Sequence, residues 1–235
     1  MKSYSEWQYN EMKQVGVDYT DISEVQAYDS RMKKLRDIKK EIKDIISSVN
    51  LTCEQKVLEF GTGTGELSIE FAKHCRKVYA VDVSPVMLEF ASKKAKSQGI
   101  NNTEYYNAGF LTYEHQGEPL DVIVSQLALH HLPDFWKLIA LKRIYAMLKE
   151  GGKFYLRDTV YSFEVENYKD FFNTLLSGIR QAAGEELALD TEIAIRDEFS
   201  TCDWIMEGLI KRAGFTIDSI NYHDGFLAVY VCIKK

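Results

Sequence analysis

The sequence predicts an α/β fold, a doubly wound and mostly parallel sheet with helices on both faces. Short apolar runs alternate with helical patterns through the middle of the 235-residue chain. Such alternation is typical of parallel strands joined by crossover helices. The chain then ends in two apolar runs separated by His223-Asp224-Gly225. Because Asp-Gly is a strong hairpin turn signal, the last strand is predicted to be antiparallel.

Length and charge restrict the classes of function. A chain of 235 residues is long enough for one sizeable α/β domain. The formal net charge is −6, and the stretch richest in Lys and Arg, residues 31–43, also contains Asp37 and Glu41. We therefore expect a solvated helix face there and no nucleic-acid partner, since nucleic-acid binding needs clustered positive charge.

Targeting signals and cysteine usage predict a cytoplasmic protein. The N-terminus has no apolar signal core, and no run approaches the roughly 18 apolar residues of a membrane span, so no membrane partner is expected. The four cysteines lack metal-ligand spacing, which favours free thiols in a reducing compartment. We expect a monomer or a homodimer.

The elements follow from periodicity and from turn residues. The predicted strands are residues 56–60, 77–83, 103–107, 120–126, 153–157, 215–222 and 226–233. The predicted helices are residues 21–49, 66–75, 85–97, 133–148, 168–183 and 202–213, with 187–198 less regular. This pattern divides the chain into an N-terminal helical cap, residues 1–50, and a domain of residues 51–235 with a helical insertion at residues 160–200.

A glycine loop follows the first strand. Gly61, Gly63 and Gly65 alternate with threonines between an apolar run and a helical pattern. Glycines allow a sharp turn and the close approach of a ligand, and ligands in open α/β sheets bind at the carboxyl ends of strands. The alternative is a tight strand-to-helix turn without a ligand, which three alternating glycines beside flanking acids disfavour.

The residues around the loop favour a cationic ligand over a phosphate. A P-loop requires Gly-Lys-Ser/Thr, whereas Gly65 is followed by Glu66, and residues 57–70 contain no Lys or Arg. A dinucleotide motif requires GxGxxG, but the sixth residue from Gly61 is Glu66. S-adenosylmethionine has a sulfonium and an ammonium group and no phosphate, and it suits this loop.

Two acids are candidates for that cofactor. Glu59, at the end of the first strand, is placed to hold the ammonium directly or through water. Asp82, at the end of the second strand, is placed to accept two charge-assisted hydrogen bonds from a ribose diol, about 1.5–3 kcal/mol each. An acid on the second strand also occurs with NAD, so Asp82 discriminates only in combination with the loop.

Four segments, in this order, resemble the class I S-adenosylmethionine-dependent methyltransferases: VLEFGTGTGELS, YAVDVSPVML, LALHHLPDFWK and LKEGGKFYLRD. The chain is similar to the ubiquinone/menaquinone-biosynthesis-like small-molecule group of that family. The resemblance is good over residues 55–158, weaker over 200–235 and slight elsewhere. It implies a Rossmann-like sheet of seven strands whose last strand is antiparallel.

The resemblance also implies which residues bind the cofactor. The expected set is Glu59, Gly61, Thr62, Gly63, Gly65, Asp82, Val83, Met87, Gly109, Phe110, Gln126 and Leu127. The family often has an acid after the third strand that touches the adenine amino group, whereas this chain has Asn107-Ala108-Gly109-Phe110. We expect the backbone of Gly109, or Asn107, to substitute, with Phe110 packed on the base.

The acceptor side has fewer candidates. His130 and His131 follow the fourth strand, near the methyl donor in this topology, and either is a candidate general base if the nucleophile must lose a proton. The alternative is that one histidine orients the loop through a backbone hydrogen bond. Tyr28, Arg157 and Tyr161 are candidate substrate residues.

Two groups of charged residues have a purely structural interpretation beside a functional one. An ion pair between Arg157 and Asp158 is the alternative to a substrate contact. The acids of residues 185–192 are interpreted as a solvated face, because no histidine is spaced to join them, and no metal site is predicted.

These observations predict methyl transfer from S-adenosylmethionine to a small-molecule acceptor by in-line displacement. Because the donor is already activated, alignment supplies much of the catalysis, about 7–11 kcal/mol in well-oriented reactions. The alternatives are a non-catalytic S-adenosylmethionine-binding protein and a nicotinamide-dependent oxidoreductase. The acceptor would be selected by the cap and the insertion, which carry no recognisable pattern.

Overall fold

A mixed sheet with the order β3-β2-β1-β4-β5-β8-β7 forms the centre of the protein. The computed structural model describes residues 6–13, 15–16 and 37–235. The strands are β1 Lys56–Phe60, β2 Lys77–Asp82, β3 Thr103–Asn107, β4 Leu120–Gln126, β5 Leu148–Tyr161, β6 Thr201–Cys202, β7 Thr216–His223 and β8 Leu227–Ile233. Strand β8 is antiparallel to both of its neighbours, and the other pairings are parallel. The Rossmann-like prediction is confirmed, with the short β6 added beside β5.

Helices cover both faces of this sheet. They are α1 Ile38–Val49, α2 Glu66–Ala72, α3 Pro85–Ser97, α4 Asp134–Met147, α5 Tyr168–Ala183, α6 Glu185–Asp197 and α7 Asp203–Ala213. Side chains cap two of them: Asp37 accepts a hydrogen bond from Lys40 N at 3.1 Å, and Ser84 accepts one from Met87 N at 3.3 Å. None of the helices in the described ranges has the length and apolar character needed to cross a membrane.

The observed elements differ from the predicted ones mainly in two places. Strand β5 starts at Leu148, because the Gly151 amide donates to Lys234 O at 2.8 Å and the Lys234 amide donates to Gly152 O at 3.0 Å. Gly151 and Gly152, which in the sequence resemble a break between helix and strand, are therefore part of the pairing with the C-terminal segment. Residues 185–197 form a regular helix, separated from α5 by Gly184. The predicted start of the first helix, residues 21–36, lies outside the described residues.

The sheet separates two apolar cores. Leu58 and Phe60 of β1 are fully buried in a core that includes α4, α7 and the hairpin strand β8. Val57 faces the opposite core, which α1 and α2 cover. Burial on both faces explains why the central strands are almost continuously apolar. Binding groups are consequently left to the ends of the strands.

Replacing Gly65 of the loop is predicted to destabilise the protein more than replacing Gly63. Its φ is +80°, and a Cβ there would lie 2.8 Å from Ala91 Cβ and 3.3 Å from Ala91 Cα. Gly63 (φ +52°) would meet no atom within 4 Å, so it is the matched control. Both alanine variants carry the left-handed backbone cost of about 1–2 kcal/mol. Gly65→Ala should lower the free energy of unfolding, measured by urea titration, by about 1–3 kcal/mol more than Gly63→Ala. Equal losses would contradict the close packing at Ala91.

Candidate functional site

A cavity of about 750 Å³ opens at the carboxyl edge of the sheet and contains most of the residues predicted from the sequence. The predicted residues that line it are Gly61, Gly63, Asp82, Val83, Met87, Gly109, Phe110, Gln126, Leu127, His130, His131, Arg157 and Tyr161. Three predicted residues are buried and are not among the lining residues: Thr62 and Gly65, within the glycine loop, and Glu59, just before it. Tyr28 lies outside the described residues.

The glycine loop is tied to the end of β2 by Asp82. One carboxylate oxygen accepts from Gly63 N at 2.7 Å, and the other accepts from Ser84 N at 2.8 Å. Burial raises the pKa of Asp82, and these backbone hydrogen bonds oppose that rise. Gly61 must be a glycine, because a Cβ there would lie 2.5 Å from Ala128 Cβ. The loop is therefore held open as a backbone-lined concavity.

Glu59 supports the loop from behind. Its carboxylate is only 2% exposed and accepts a hydrogen bond from Thr62 Oγ1 at 2.8 Å. Burial, with a smaller contribution from the negative charge of Asp82, raises the pKa of Glu59 to about 8, and the Thr62 hydrogen bond limits that rise. In this arrangement Glu59 orders the loop through Thr62.

Glu11 places a carboxylate beside the turn after β3. Both of its oxygens lie 2.9 Å from Leu111 N. A Cβ on Gly109 would lie 2.5 Å from the Glu11 carboxyl carbon, so the carboxylate fills the space that a side chain at position 109 would take. Burial raises the pKa of Glu11, against the hydrogen bonds from the turn. Asn107 instead donates its amide to Asp82 O at 3.1 Å and Val83 O at 2.9 Å.

An ion pair joins the floor of the cavity to α1. Arg157 contacts Glu41 at 2.8 Å, and Gln126 Nε2 donates to the same carboxylate at 3.1 Å. The sequence left open an ion pair between Arg157 and Asp158 as the alternative to a substrate contact, but Asp158 lies on the other side of the strand and contacts His130. Phe110 lines the cavity while stacked on Phe60, with 4.6 Å between ring centroids.

His130 and His131 form a cluster with two acids at the far end of the cavity. His130 Nδ1 hydrogen-bonds to Asp158, which is fully buried, and His130 Nε2 lies 3.2 Å from Glu198 Oε2. His131 Nδ1 lies 3.8 Å from Glu198 Oε1. Burial disfavours the charged form of His130, but its two carboxylate partners outweigh burial and raise the pKa to about 10. Burial and the neighbouring His130 lower the pKa of His131 to about 4.

The N-terminal segment closes this end of the cavity. Tyr9 donates its hydroxyl to His131 O at 3.0 Å, and its ring packs edge-on against Phe199 at 6.2 Å between centroids. The backbone of Val15 hydrogen-bonds to the His131 ring. A Cβ on Gly16 would lie 2.3 Å from Glu198 Oε1, so this glycine allows the segment to lie directly on the acid.

Sequence reasoning missed three acids at the site. Glu11, Glu41 and Glu198 lie in segments whose patterns resemble solvated or irregular surface. Each reaches the cavity only because the chain folds back over the sheet. Among these three acids, only Glu11 has a local signal in the sequence. Gly109, after β3, has no side chain and so leaves room for a carboxylate from elsewhere in the chain.

The chain is similar to methyltransferases in both sequence and structure. Residues 57–152 match the family model described as a methyltransferase domain. An uncharacterised methyltransferase of Bacillus velezensis is 33% identical over 192 residues, 82% of this chain and 84% of that protein. One from Geobacillus kaustophilus is 29% identical over 211 residues, 90% of each chain.

Solved structures share the fold. An S-adenosylmethionine-dependent methyltransferase from Clostridium acetobutylicum aligns with a TM-score of 0.67 at 14% identity, over 90% of this chain and 98% of that one. The magnesium protoporphyrin IX methyltransferase of Synechocystis, with bound S-adenosylmethionine, aligns with a TM-score of 0.58 at 12% identity, over 93% and 86%.

The fold, the glycine loop and the acid after β2 define a Rossmann-like methyltransferase. With these relatives, the chain belongs to the class I S-adenosylmethionine-dependent methyltransferases, as predicted. Solved neighbours of this fold contain bound S-adenosylmethionine or S-adenosylhomocysteine, and the relatives in sequence are methyltransferases, which disfavours the nicotinamide alternative.

Neutralising Glu59 is expected to remove a pH-dependent loss of stability. Its pKa is raised from 4.5 to about 8 in the folded protein, so the unfolded chain releases this proton first. The contribution of Glu59 to stability is therefore fully present below pH 4.5 and is lost as the pH rises through about 8. In thermal unfolding from pH 4 to 9, the Tm of Glu59→Gln should rise relative to that of the parent as the pH increases across this window. The Tm of Glu54→Gln, a variant at an exposed position, should not. A constant difference between the parent and Glu59→Gln would contradict the buried, protonated carboxyl.

Proposed function

We propose that the cavity holds the methyl donor against the glycine loop and a small-molecule acceptor against the histidine cluster. The observation that carries this proposal is the continuity of one cavity from Gly61, Gly63 and Asp82 to His130 and His131. A volume of about 750 Å³ is of the size typical of ligand pockets. The cofactor-binding roles predicted from the sequence are part of this proposal.

The residues present fit the donor. When bound, S-adenosylmethionine supplies a methyl group activated on a sulfonium. Gly61 and Gly63 leave backbone exposed where the donor must approach closely, and Asp82 offers carboxylate lone pairs to a ribose diol. Met87 and Val83 give an apolar surface for the base. Gln126 and Leu127 line the cavity between this end and the histidines, where the methionine end would lie.

Glu11 is proposed to read the adenine edge. Its carboxylate lies at Gly109, beside Phe110, and accepts hydrogen bonds without donating any when ionised. The adenine amino group is a donor, so a fixed carboxylate there favours adenine over a base with a carbonyl. This revises the expectation that the Gly109 backbone or Asn107 would fill the role, since the Asn107 amide is bonded to the backbone of β2.

The acceptor end is closed by elements that lie outside the family motifs. Leu175 and Ile179 of α5 and Leu187 and Ile195 of α6 line the cavity opposite the histidines. We propose that these side chains exclude water and select a small acceptor with an apolar part. Tyr161 and the neutral His131 remain the candidate polar contacts to its nucleophilic atom. His130 already carries its proton, because its two acids raise its pKa to about 10, so it is not the general base. The cytoplasmic location and the monomeric or homodimeric state stay predictions.

Replacing Asp82 tests the donor site. Asp82→Asn removes the charge that strengthens hydrogen bonds to the ribose while keeping an oxygen for Gly63 N or Ser84 N. S-adenosylmethionine affinity, measured by calorimetry, should fall about 10–100-fold, the equivalent of one charge-assisted bond. Asp121→Asn at the amino end of β4, where Asp121 accepts from Lys56 N at 2.7 Å, is the control and should keep full affinity. Unchanged affinity of folded Asp82→Asn would refute the placement of the ribose.

Replacing Glu11 tests the adenine end. The parent should bind S-adenosylhomocysteine about 10-fold or more tightly than its inosine counterpart, which has a carbonyl in place of the amino group. Glu11→Gln, whose amide can present either a donor or an acceptor, should largely lose that preference. Thermal unfolding of the free protein checks that the turn at Leu111 survives. If Glu11→Gln kept the full preference, Glu11 would have no role in reading the base.

A further inference from the structure

The histidine cluster has the composition of a metal site. His130, His131 and Glu198 each offer one ligand atom, and these atoms lie within 4.8 Å of one another. The separations are 3.2 Å between His130 Nε2 and Glu198 Oε2 and 3.8 Å between His131 Nδ1 and Glu198 Oε1. Two imidazoles and one carboxylate suit a divalent transition metal such as Zn²⁺.

The spacing is close to that of a tetrahedral site. Zinc bonds to His N and carboxylate O are about 2.0–2.1 Å, which places neighbouring ligand atoms about 3.4 Å apart in a tetrahedron. The two observed separations, 3.2 Å to Oε2 and 3.8 Å to Oε1 of Glu198, lie on either side of that value. Each histidine faces a different Glu198 oxygen, and one ligand atom from each of the three residues lies within 4.8 Å of the others, so side-chain rotation would bring the three atoms onto one ion.

A second layer of contacts orients the ligands. Asp158, fully buried on β5, bonds to Nδ1 of His130 and leaves Nε2 directed at Glu198. The backbone of Val15 bonds to the His131 ring. A carboxylate behind a ligating histidine is the common arrangement in zinc sites, where it sets the tautomer and the ring orientation.

We propose that His130, His131 and Glu198 bind one divalent transition-metal ion, with an open coordination position facing the cavity. Three protein ligands and one open position characterise catalytic rather than structural zinc sites. The site comes from three separate parts of the fold: the turn after β4, the end of α6, and, through Asp158, the end of β5. This spread explains why no metal site is predicted from the sequence.

The use of this ion rests on the proposed function and names a class of acceptor. An acceptor hydroxyl or thiol would bind at the open position and release its proton to solvent, because a bound divalent cation favours the anion. The oxygen or sulfur anion then forms a bond to the methyl carbon. The bond from that carbon to the sulfonium sulfur breaks, and its electron pair stays on sulfur. The products are a methyl ether or thioether and neutral S-adenosylhomocysteine.

The test is metal binding by the full chain, measured apart from catalysis. Chelator-treated protein is titrated with Zn²⁺ by calorimetry and with Co²⁺ by visible absorption, since tetrahedral Co²⁺ absorbs strongly. The parent should bind one Zn²⁺ per chain and give the tetrahedral Co²⁺ spectrum. Asp158→Asn should weaken Zn²⁺ binding about 10–100-fold. Glu198→Gln and His131→Asn, which remove ligands, should weaken it further.

Controls separate this site from surface binding and from the proposed function. His74→Asn, at a surface histidine beside Glu70, should keep the parent Zn²⁺ affinity. S-adenosylmethionine binding by each variant shows that it is folded and tests the donor site independently. A parent protein that binds the donor but no stoichiometric Zn²⁺ overturns the metal site and leaves methyl transfer standing. Zn²⁺ binding that Glu198→Gln and His131→Asn both retain also overturns it.

Discussion

The hydrogen bonds from Gly63 N and Ser84 N to the Asp82 carboxylate join the two segments on which the donor site depends. They fix the glycine loop after β1 relative to the start of α3, one strand away. A buried carboxylate without such partners would cost several kcal/mol, so the backbone amides and the acid depend on each other. Glu59 and Glu11 obey the same constraint, through Thr62 and through Leu111 N. The donor end of the cavity is thus built from acids stabilised by the turns that they support.

The periphery of the fold completes the cavity. Glu11 comes from the N-terminal segment, Glu41 from α1 and Glu198 from the end of α6, and each reaches a residue at the carboxyl edge of the sheet. The central strands cannot provide these groups, because both of their faces are committed to apolar cores. In the proposed function, the sheet therefore positions the donor, whereas the peripheral segments determine what lies beside its methyl group. Relatives that share the sheet can therefore differ in acceptor.

The histidine pair shows how strongly the surroundings change the pKa values of two identical side chains. His130 lies between Asp158 and Glu198, and these acids outweigh burial, so its pKa rises to about 10. His131 is adjacent in sequence but meets burial and the charge of His130, so its pKa falls to about 4. A residue type that serves as a proton acceptor, a cation or a metal ligand takes its role from its neighbours. The adjacency of His130 and His131 in the sequence therefore gives no basis for assigning the same chemical role to the two residues.

The sequence by itself determined the order of strands and helices, the glycine loop, Asp82 and the antiparallel last strand, because periodicity and turn chemistry are local properties. It also determined the family, since the four motifs lie on strands of the sheet and on the turns and helices that adjoin them. Only the tertiary structure decided four other features. They are the regular α6, the pairing of Arg157 with Glu41 instead of Asp158, the carboxylate at Gly109 and the acids around His130. These features join segments far apart in the chain, and long-range side-chain contacts leave no period or spacing in either segment alone.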